Sequence, residues 1–272
     1  MWMIKPSLPP PSLASVIQYY WIGHVPHGET IPTVFLPSTG CSSMLISFGK
    51  KHLKLRTFGE RIVQTHKVVV MGQYYNNLEV IIPDDLDIIG ILFRPTALNR
   101  FCGFNMDTLT HNILPGEDVF GNSVLQLSDR IAEADAEARR LRLVDDYFLK
   151  LFKHPNNVGP LVQEALHYIA AKKGNVQVSA LADYFHVSGR LLEKRFREQV
   201  GISPKYMSKV VKFNTMLGIL KSRPNIRWAE LAYLAGYYDQ SHMISAFIEF
   251  TGRTPVQYEG NDNEMTEFYL NA

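Results

Sequence analysis

The chain of 272 residues contains the same sequence unit twice. The segment LADYFHVSGRLLEKRFREQVGISP spans residues 181–204, and LAYLAGYYDQSHMISAFIEFTGRTP spans residues 231–255. Both begin with Leu-Ala and end with a hydroxyl residue followed by Pro. The Phe, Gly and hydroxyl-Pro positions recur at a spacing of 51 and the Leu-Ala pairs at 50, so the second unit has one extra residue in its middle. A duplication of this kind predicts two copies of one supersecondary structure.

Each unit has the signals of two helices joined by a tight turn. In the first unit Ser188 is suited to cap the second helix, Gly201 to end it, and Ser203-Pro204 to start another. Asp239 stands at the position of Ser188 in the second unit. The apolar spacing predicts two inward faces, formed by Val178, Leu181, Ala182, Phe185, Leu191, Leu192, Phe196 and Val200 in the first unit and by Leu231, Leu234, Ala235, Met243 and Phe247 in the second.

The segment between the units, residues 203–223, predicts one long helix that Pro224 stops. At about 1.5 Å per residue such a helix is roughly 30 Å long. That length is close to the roughly 34 Å between successive major grooves on one face of B-DNA. We therefore predict that this helix separates the two recognition helices by the distance needed to enter neighbouring major grooves.

This pattern resembles the DNA-binding domain of the AraC/XylS family of transcription regulators, over about residues 160–259. The motifs that support this resemblance are Leu-Ala, a Ser-capped helix with Leu-x-x-x-Phe, and Gly-x-Ser-Pro. The second unit repeats the pattern in GYYDQSHMISAFIEFTGRTPVQY. The resemblance implies seven helices in two helix-turn-helix subdomains. The partners that it implies are promoter DNA and RNA polymerase.

The resemblance places the DNA-contacting residues on the two second helices. In the first, the base-reading positions fall on Arg190, Glu193 and Lys194, with Ser188 and Gly189 at the helix start. Arg195, Arg197 and Lys205 suit phosphate, which positions a protein without reading sequence. The alternative for these side chains is an ordinary solvated helix face.

The second recognition helix departs from the family pattern. Members usually carry an Arg and a Lys where this chain has Ser245 and Ile248. The remaining candidates are Gln240, Ser241, His242, Ser245 and Arg253. Phosphate neutralisation supplies much of DNA affinity, so we expect the first unit to dominate binding.

Residues 12 to about 114 predict mostly strands, because six β-branched and aromatic runs are separated by Gly, Pro, Asn and Asp. The runs are SVIQYYWIGHV, TVFLP, SSMLISFG, HKVVVMGQYY, LEVIIP and DIIGILFRP. They predict a cupin-like barrel or sandwich. FLPSTGCSSMLISFG and GILFRP resemble the β domain of one branch of the same family.

From Val124 onward the apolar period becomes helical, and Ser128, Asp129 and Asp135 are candidate helix starts. The apolar stripe either packs on the β domain or forms a homodimer seam. The predicted fold class is therefore α+β in two domains, with flanking helices on the β domain and an all-α C-terminal domain. The predicted divisions are a sensor or dimer domain (1–120), a helical connector (121–157), the DNA-binding domain (158–260) and an acidic tail (261–272).

Charge supports an anionic partner for the C-terminal part. Residues 160–259 contain 13 Lys/Arg and 8 Asp/Glu, whereas 1–159 contain 15 of each. The two cysteines cannot form a zinc site of four cysteines, and no apolar run is long enough for a membrane span. We expect a cytoplasmic protein.

No catalytic motif is present, so we predict no enzyme, and neither cofactor nor metal. HVPHGE, residues 24–29, lacks the further His and Glu of a cupin metal site. Trp21, His24, Tyr74 and Arg94 are candidates for a small-molecule pocket, with core aromatics as the alternative.

These observations predict a transcription regulator, with activation or repression open, that binds promoter DNA and responds to an effector or acts as a homodimer. The alternative is a ligand-binding or enzymatic cupin-like protein whose C-terminal domain has lost DNA binding.

Overall fold

The structure is a computed structural model and describes residues 3–31, 33–36, 38–56, 62–75, 78–152 and 159–259. An N-terminal β-sheet domain with helices precedes a C-terminal helical domain. The predicted acidic tail and most of the segment between the domains, 153–158, lie outside the described residues. Within the described part of the chain, no helix is long and apolar enough to cross a membrane.

Two antiparallel sheets form the β part of the N-terminal domain. The larger has the order β1-β2-β9-β4-β7-β10 and the smaller β3-β8-β5-β6. The strands are β1 (Met3–Ser7), β2 (Ile17–Val25), β3 (Val34–Leu36), β4 (Ser43–Ser47), β5 (Lys54–Arg56), β6 (Ile62–Gln64), β7 (Val68–Met71), β8 (Leu78–Ile81), β9 (Leu86–Phe93) and β10 (Ile113–Pro115). The six runs predicted from sequence contain β2, β3, β4, β7, β8 and β9, and the other four strands were not predicted.

The strands of the larger sheet are apolar on both faces because both faces are covered. Alternate residues such as Trp21, Leu45 and Val69 point toward the smaller sheet, and their neighbours such as Tyr20 and Met44 point toward the helices. Gly90 on β9 leaves room for the ring of Trp21, its partner on the neighbouring strand β2, because an added Cβ would lie 1.9 Å from that ring. Two cores therefore lie on opposite sides of one sheet.

Among its described residues the N-terminal domain has five helices, namely α1 (Ala97–Cys102), α2 (Met106–Leu109), α3 (Gly116–Phe120), α4 (Ser123–Glu133) and α5 (Glu137–Phe152). The first two correct the prediction that strands continue to about residue 114. The predicted cap at Ser128 and Asp129 is also wrong, because Ser128 is buried in the middle of α4. The stripe that includes Val124, Ile131 and Phe148 packs into the core beside the larger sheet, which is the first of the two alternatives.

A hydrogen bond joins β2 to α5, and we expect its loss to have a pH-dependent cost. The Tyr20 hydroxyl donates to Asp145 Oδ1 over 2.7 Å. Burial raises the pKa of the Asp145 carboxyl, the Tyr20 hydrogen bond lowers it, and Asp146 raises it. The folded state therefore binds this proton more tightly than the unfolded state, and this group's contribution to stability falls as pH rises above the ordinary carboxyl value of about 3.9.

Tyr20→Phe should lower the free energy of unfolding by about 1–3 kcal/mol, because it removes the donor from a half-buried carboxylate. The cost should be larger at pH 7 than at pH 4, because the Asp145 carboxyl accepts this hydrogen bond more strongly when it is ionised, and a higher pH favours the ionised form. Urea denaturation at the two pH values measures both quantities. In an Asp145→Asn background the pH dependence of the Tyr20→Phe cost should vanish, and its persistence would contradict this account.

Seven helices form the described C-terminal domain, as the family resemblance implies. They are α6 (Leu161–Ala171), α7 (Val178–Tyr184), α8 (Gly189–Val200), α9 (Pro204–Ser222), α10 (Trp228–Leu234), α11 (Gln240–Thr251) and α12 (Pro255–Glu259). One continuous cluster of buried side chains runs from Val162 to Phe250. The two units therefore share a core built around α9.

Candidate nucleic-acid interface

The two helix-turn-helix units have the same local geometry. Helix α8 begins after Ser188, whose Oγ accepts from the Leu191 N–H over 3.2 Å, and α11 begins after Asp239, whose Oδ1 accepts from the His242 N–H over 2.7 Å. Both helices end at a left-handed glycine, Gly201 with φ +92° and Gly252 with φ +71°. The caps predicted from the repeat are confirmed in both units.

The turns before the recognition helices also correspond. A left-handed residue lies in each turn, His186 with φ +53° in the first unit and Gly236 with φ +77° in the second. Two residues predicted to face inward do not, because Leu191 is 39% exposed and Leu234 is 42% exposed. Each lies at the edge of its apolar stripe, where periodicity does not separate core from surface.

The first recognition helix, α8, presents its charged face to solvent. Gly189, Arg190, Glu193 and Lys194 are all exposed on its first two turns, and Ser188 is exposed at its N-cap. Within the described residues Arg190 makes no ion pair, whereas Lys194 lies 3.8 Å and Arg195 3.2 Å from Glu198. Lys205 is exposed on the first turn of α9. The candidate base-reading residues therefore share one accessible surface.

The second recognition helix, α11, is also accessible but carries no Lys or Arg. Gln240, Ser241, His242 and Ser245 are exposed. Their polar groups are partly engaged within the unit, since the Ser245 hydroxyl donates to the Ser241 carbonyl over 3.0 Å and the His242 ring lies edge-on to Tyr237. Arg253, just beyond the helix, is half-buried. Exposed apolar side chains adjoin this face, including Tyr238 and Ile248.

The charge of the C-terminal domain belongs almost wholly to the first unit and α9. Residues 160–223 contain eleven Lys/Arg and four Asp/Glu, a net charge of +7, whereas residues 224–259 contain two Lys/Arg and four Asp/Glu, a net charge of −2. A polyanion is therefore attracted to one unit and weakly repelled by the other.

The N-terminal domain contacts the C-terminal end of α8. Arg197, a candidate phosphate ligand, lies 3.7 Å from Asp107 of α2 and 3.6 Å from Glu193 of its own helix. The Thr110 hydroxyl donates to the Gly201 carbonyl over 2.6 Å. The Asn99 side chain donates to the Glu198 carbonyl over 3.4 Å. No motif in the sequence indicated that these residues of the N-terminal domain reach the recognition helix.

A second contact joins the β domain to the linker helix α9. The Tyr206 hydroxyl donates to the Tyr75 carbonyl, and the two rings meet edge-on with centroids 4.5 Å apart. Gly40 lies against Met207, whose sulfur would be 2.9 Å from a Cβ added at Gly40. The first unit is thus held to the N-terminal domain at both α8 and α9.

The four candidate ligand residues of the N-terminal domain do not form one site. Trp21 is buried between the sheets, the exposed His24 pairs with Asp87 over 2.8 Å, and the exposed Arg94 donates through Nε to the Ala14 carbonyl. Tyr74 alone of the four lines a cavity of about 40 Å³ between the sheets. No cluster of three or more metal-ligating side chains occurs among the described residues.

The cavity wall is partly polar. It includes Ser38, Thr39, Cys41, Ser43, Gln73 and Tyr74. The Tyr74 hydroxyl and the Gln73 amide nitrogen have no hydrogen-bond partner among the residues that the structure describes. Burial raises the pKa of the Tyr74 hydroxyl, which therefore stays protonated and able to donate. Two of the residues that line the cavity therefore carry buried donors without a partner among the described residues.

Comparison with known proteins agrees with this geometry. Residues 181–261 match the family described as "Helix-turn-helix domain". The xylose operon regulatory protein of Escherichia coli strain K12 is 26% identical over 208 residues, which cover 71% of this chain and 49% of that protein. The C-terminal domain contains an AraC-type helix-turn-helix domain. The chain spans about half the length of the curated relatives that it matches.

The AraC-type domain follows a separate N-terminal family region. Residues 6–115 match "Domain of unknown function (DUF6597)". Crystal structures of ToxT from Vibrio cholerae strain SCE256 resemble most of this chain in fold. The apo form of a point variant has a TM-score of 0.50 at 11% identity, covering 88% of this chain and 96% of ToxT. The wild-type form bound to an unsaturated fatty acid has a TM-score of 0.50 at 12% identity, covering 88% and 94%.

Proposed function

We propose that this protein is a sequence-specific DNA-binding transcription regulator. The observation that carries the proposal is α8, a helix capped by Ser188 whose first two turns expose Arg190, Glu193 and Lys194. An Arg can donate two hydrogen bonds to guanine and a Glu can accept from cytosine. Lys205 and Arg195 flank this face and suit phosphate.

The two units act unequally in this proposal. The first unit and α9 carry the positive charge, whereas the second unit has a net charge of −2. Because counterion release scales with the number of phosphates neutralised, the first unit supplies most of the affinity. Gln240, Ser241, His242 and Ser245 add weaker polar contacts in a neighbouring groove, and Arg253 adds at most one phosphate.

We expect Arg190→Ala to weaken specific binding by about 1–3 kcal/mol and to relax the preference at one base pair. Ser245→Ala, at an exposed position of the second recognition helix, is the matched control and should change affinity little. Electrophoretic mobility shifts on the protein's own upstream DNA, with a random duplex beside it at a stated salt concentration, measure both. Equal losses in the two variants would contradict the unequal roles.

The alternative function, a ligand-binding or enzymatic protein that no longer binds DNA, is favoured by one observation, the absence of Lys and Arg from α11. The same mobility shifts separate the two proposals. A wild-type protein that binds its upstream DNA no better than a random duplex would support the alternative.

An effector in the N-terminal cavity fits the regulator. Gln73 and Tyr74 line the cavity and carry donors without a partner among the described residues. The wall residues Ser38 and Tyr74 lie close in sequence to Gly40 and Tyr75, which contact α9. A molecule in the cavity would therefore press on segments that touch the AraC-type domain. Mass spectrometry of the purified protein under native conditions tests for such a ligand. RNA polymerase and a second copy of the chain remain proposed partners.

A further inference from the structure

The contact between the two domains lies beside the proposed DNA-reading surface. The exposed Arg190, Glu193 and Lys194 lie on the first two turns of α8. The contacts with the N-terminal domain begin at Arg197 and end at Gly201, on the last turn. A duplex can therefore approach the first two turns while α2 stays in place. The phosphate backbone of that duplex would then lie near the carboxylate of Asp107 in α2.

We propose that Asp107 of the N-terminal domain lowers the DNA affinity of the first recognition helix by engaging Arg197 and by placing a negative charge beside the phosphate path. The inference rests on the proposed DNA binding by the first unit and adds a regulatory role to it. Docking of the N-terminal domain sets the strength of binding, and any event that moves α2 from α8 raises it.

The ion pair is suited to competition. The Arg197 and Asp107 side chains are 47% and 51% exposed, and their charged groups lie 3.7 Å apart. An exposed pair of this kind contributes little to stability, so the pair is not what holds the domains together. A phosphate of the duplex competes with Asp107 for Arg197, and while the ion pair is intact that phosphate contact does not form.

Other contacts hold α2 in position. Thr110 donates to the Gly201 carbonyl, and the fully buried Met106 has its carbonyl close to Gly201. The Tyr75–Tyr206 contact anchors the same domain to α9. Asp107 thus has a fixed position without depending on its own ion pair. Substitution of Asp107 therefore tests charge without undocking the domain.

The second unit lacks an arginine at the position that corresponds to Arg197. Ile248 stands where the repeat would place the counterpart of Arg197, at the spacing of 51. That side chain is 44% exposed and has no charge for an acid to engage. The restraint therefore acts on the unit that carries the positive charge.

Asp107→Asn in the full-length chain tests the inference. The side-chain size is kept, and the Asn105 cap of α2 is untouched. We expect affinity for a random duplex at low salt to rise roughly threefold to tenfold and the slope of log K against log salt to steepen by about one, as one more phosphate contact forms. Fluorescence anisotropy titrations at several salt concentrations measure both.

Two variants separate charge from docking. Thr110→Val removes the hydrogen bond to Gly201 but leaves both charges, so its salt slope should equal that of wild type. In an Arg197→Ala background, Asp107→Asn should lose its effect on the slope. An unchanged slope in Asp107→Asn, or a change of slope by Asp107→Asn that persists in the Arg197→Ala background, would overturn the inference. The random duplex keeps this result independent of sequence-specific binding, which the upstream DNA tests separately.

Discussion

Gly201→Ala should lower the free energy of unfolding by about 2–5 kcal/mol. This is the sum of the cost of placing a non-glycine residue in the left-handed conformation and the cost of overpacking a close contact. The residue has φ +92° and closes α8, with its N–H donating to the carbonyls of Phe196 and Arg197. An added Cβ would lie 2.6 Å from Thr110 Oγ1 and 2.9 Å from the Met106 carbonyl oxygen. One methyl group therefore strains the helix end and pushes the N-terminal domain away from it.

Gly252→Ala is the matched control, because Gly252 ends α11 in the same left-handed conformation, with φ +71°. There we expect only the backbone cost, about 1–2 kcal/mol. Urea denaturation of both variants measures the difference, which reports the contact with the N-terminal domain. Thr110→Ala removes the nearest atom and should recover part of the Gly201→Ala loss. Equal costs at the two glycines would show that the domain contact contributes nothing.

The recognition unit could be predicted from sequence because its determinants are local. A cap such as Ser188 or Asp239 acts within three residues, and a left-handed glycine acts at its own position. Because the unit is duplicated, the same cap and glycine positions could be identified twice, once in each copy. The N-cap Ser203 and the stop before Pro224 bounded α9 correctly for the same reason.

The domain contact could not be predicted in this way. Thr110 and Gly201 meet across 91 positions of sequence, and no local pattern specifies which exposed polar residues a distant helix will approach. The short strands β5, β6 and β10, of three residues each, carry too few side chains for alternation to show. Leu191 was predicted to face inward but is exposed, because hydrophobic periodicity does not define where the apolar stripe of a helix ends.

Phe213→Ala should lower the free energy of unfolding by about 3–5 kcal/mol, the usual cost of removing a buried phenylalanine ring. Phe213 lies in α9 and is fully buried. Its ring stacks on Phe250 at 4.6 Å and meets Phe247 edge-on at 5.5 Å. Since both partners belong to α11, the ring is a main attachment of the second recognition helix to the linker.

The loss should therefore be uneven within the AraC-type domain. Hydrogen exchange of the backbone amides should accelerate more in residues 240–251 than in residues 189–200, and urea denaturation gives the total cost. Phe213→Leu keeps most of the apolar volume and should cost less than about 1.5 kcal/mol, which makes it the control. Equal acceleration in both recognition helices would contradict a specific attachment through this ring.

Phe213→Ala also tests how much the second unit contributes to DNA affinity. If the first unit supplies most of the affinity, Phe213→Ala under folding conditions should weaken binding to the upstream DNA by less than Arg190→Ala does, because the charged face of α8 is left intact. An effect of Phe213→Ala as large as that of Arg190→Ala, with α8 still protected from exchange, would mean that the position of α11 matters as much as the cations of α8. The proposed inequality of the two units would then be wrong.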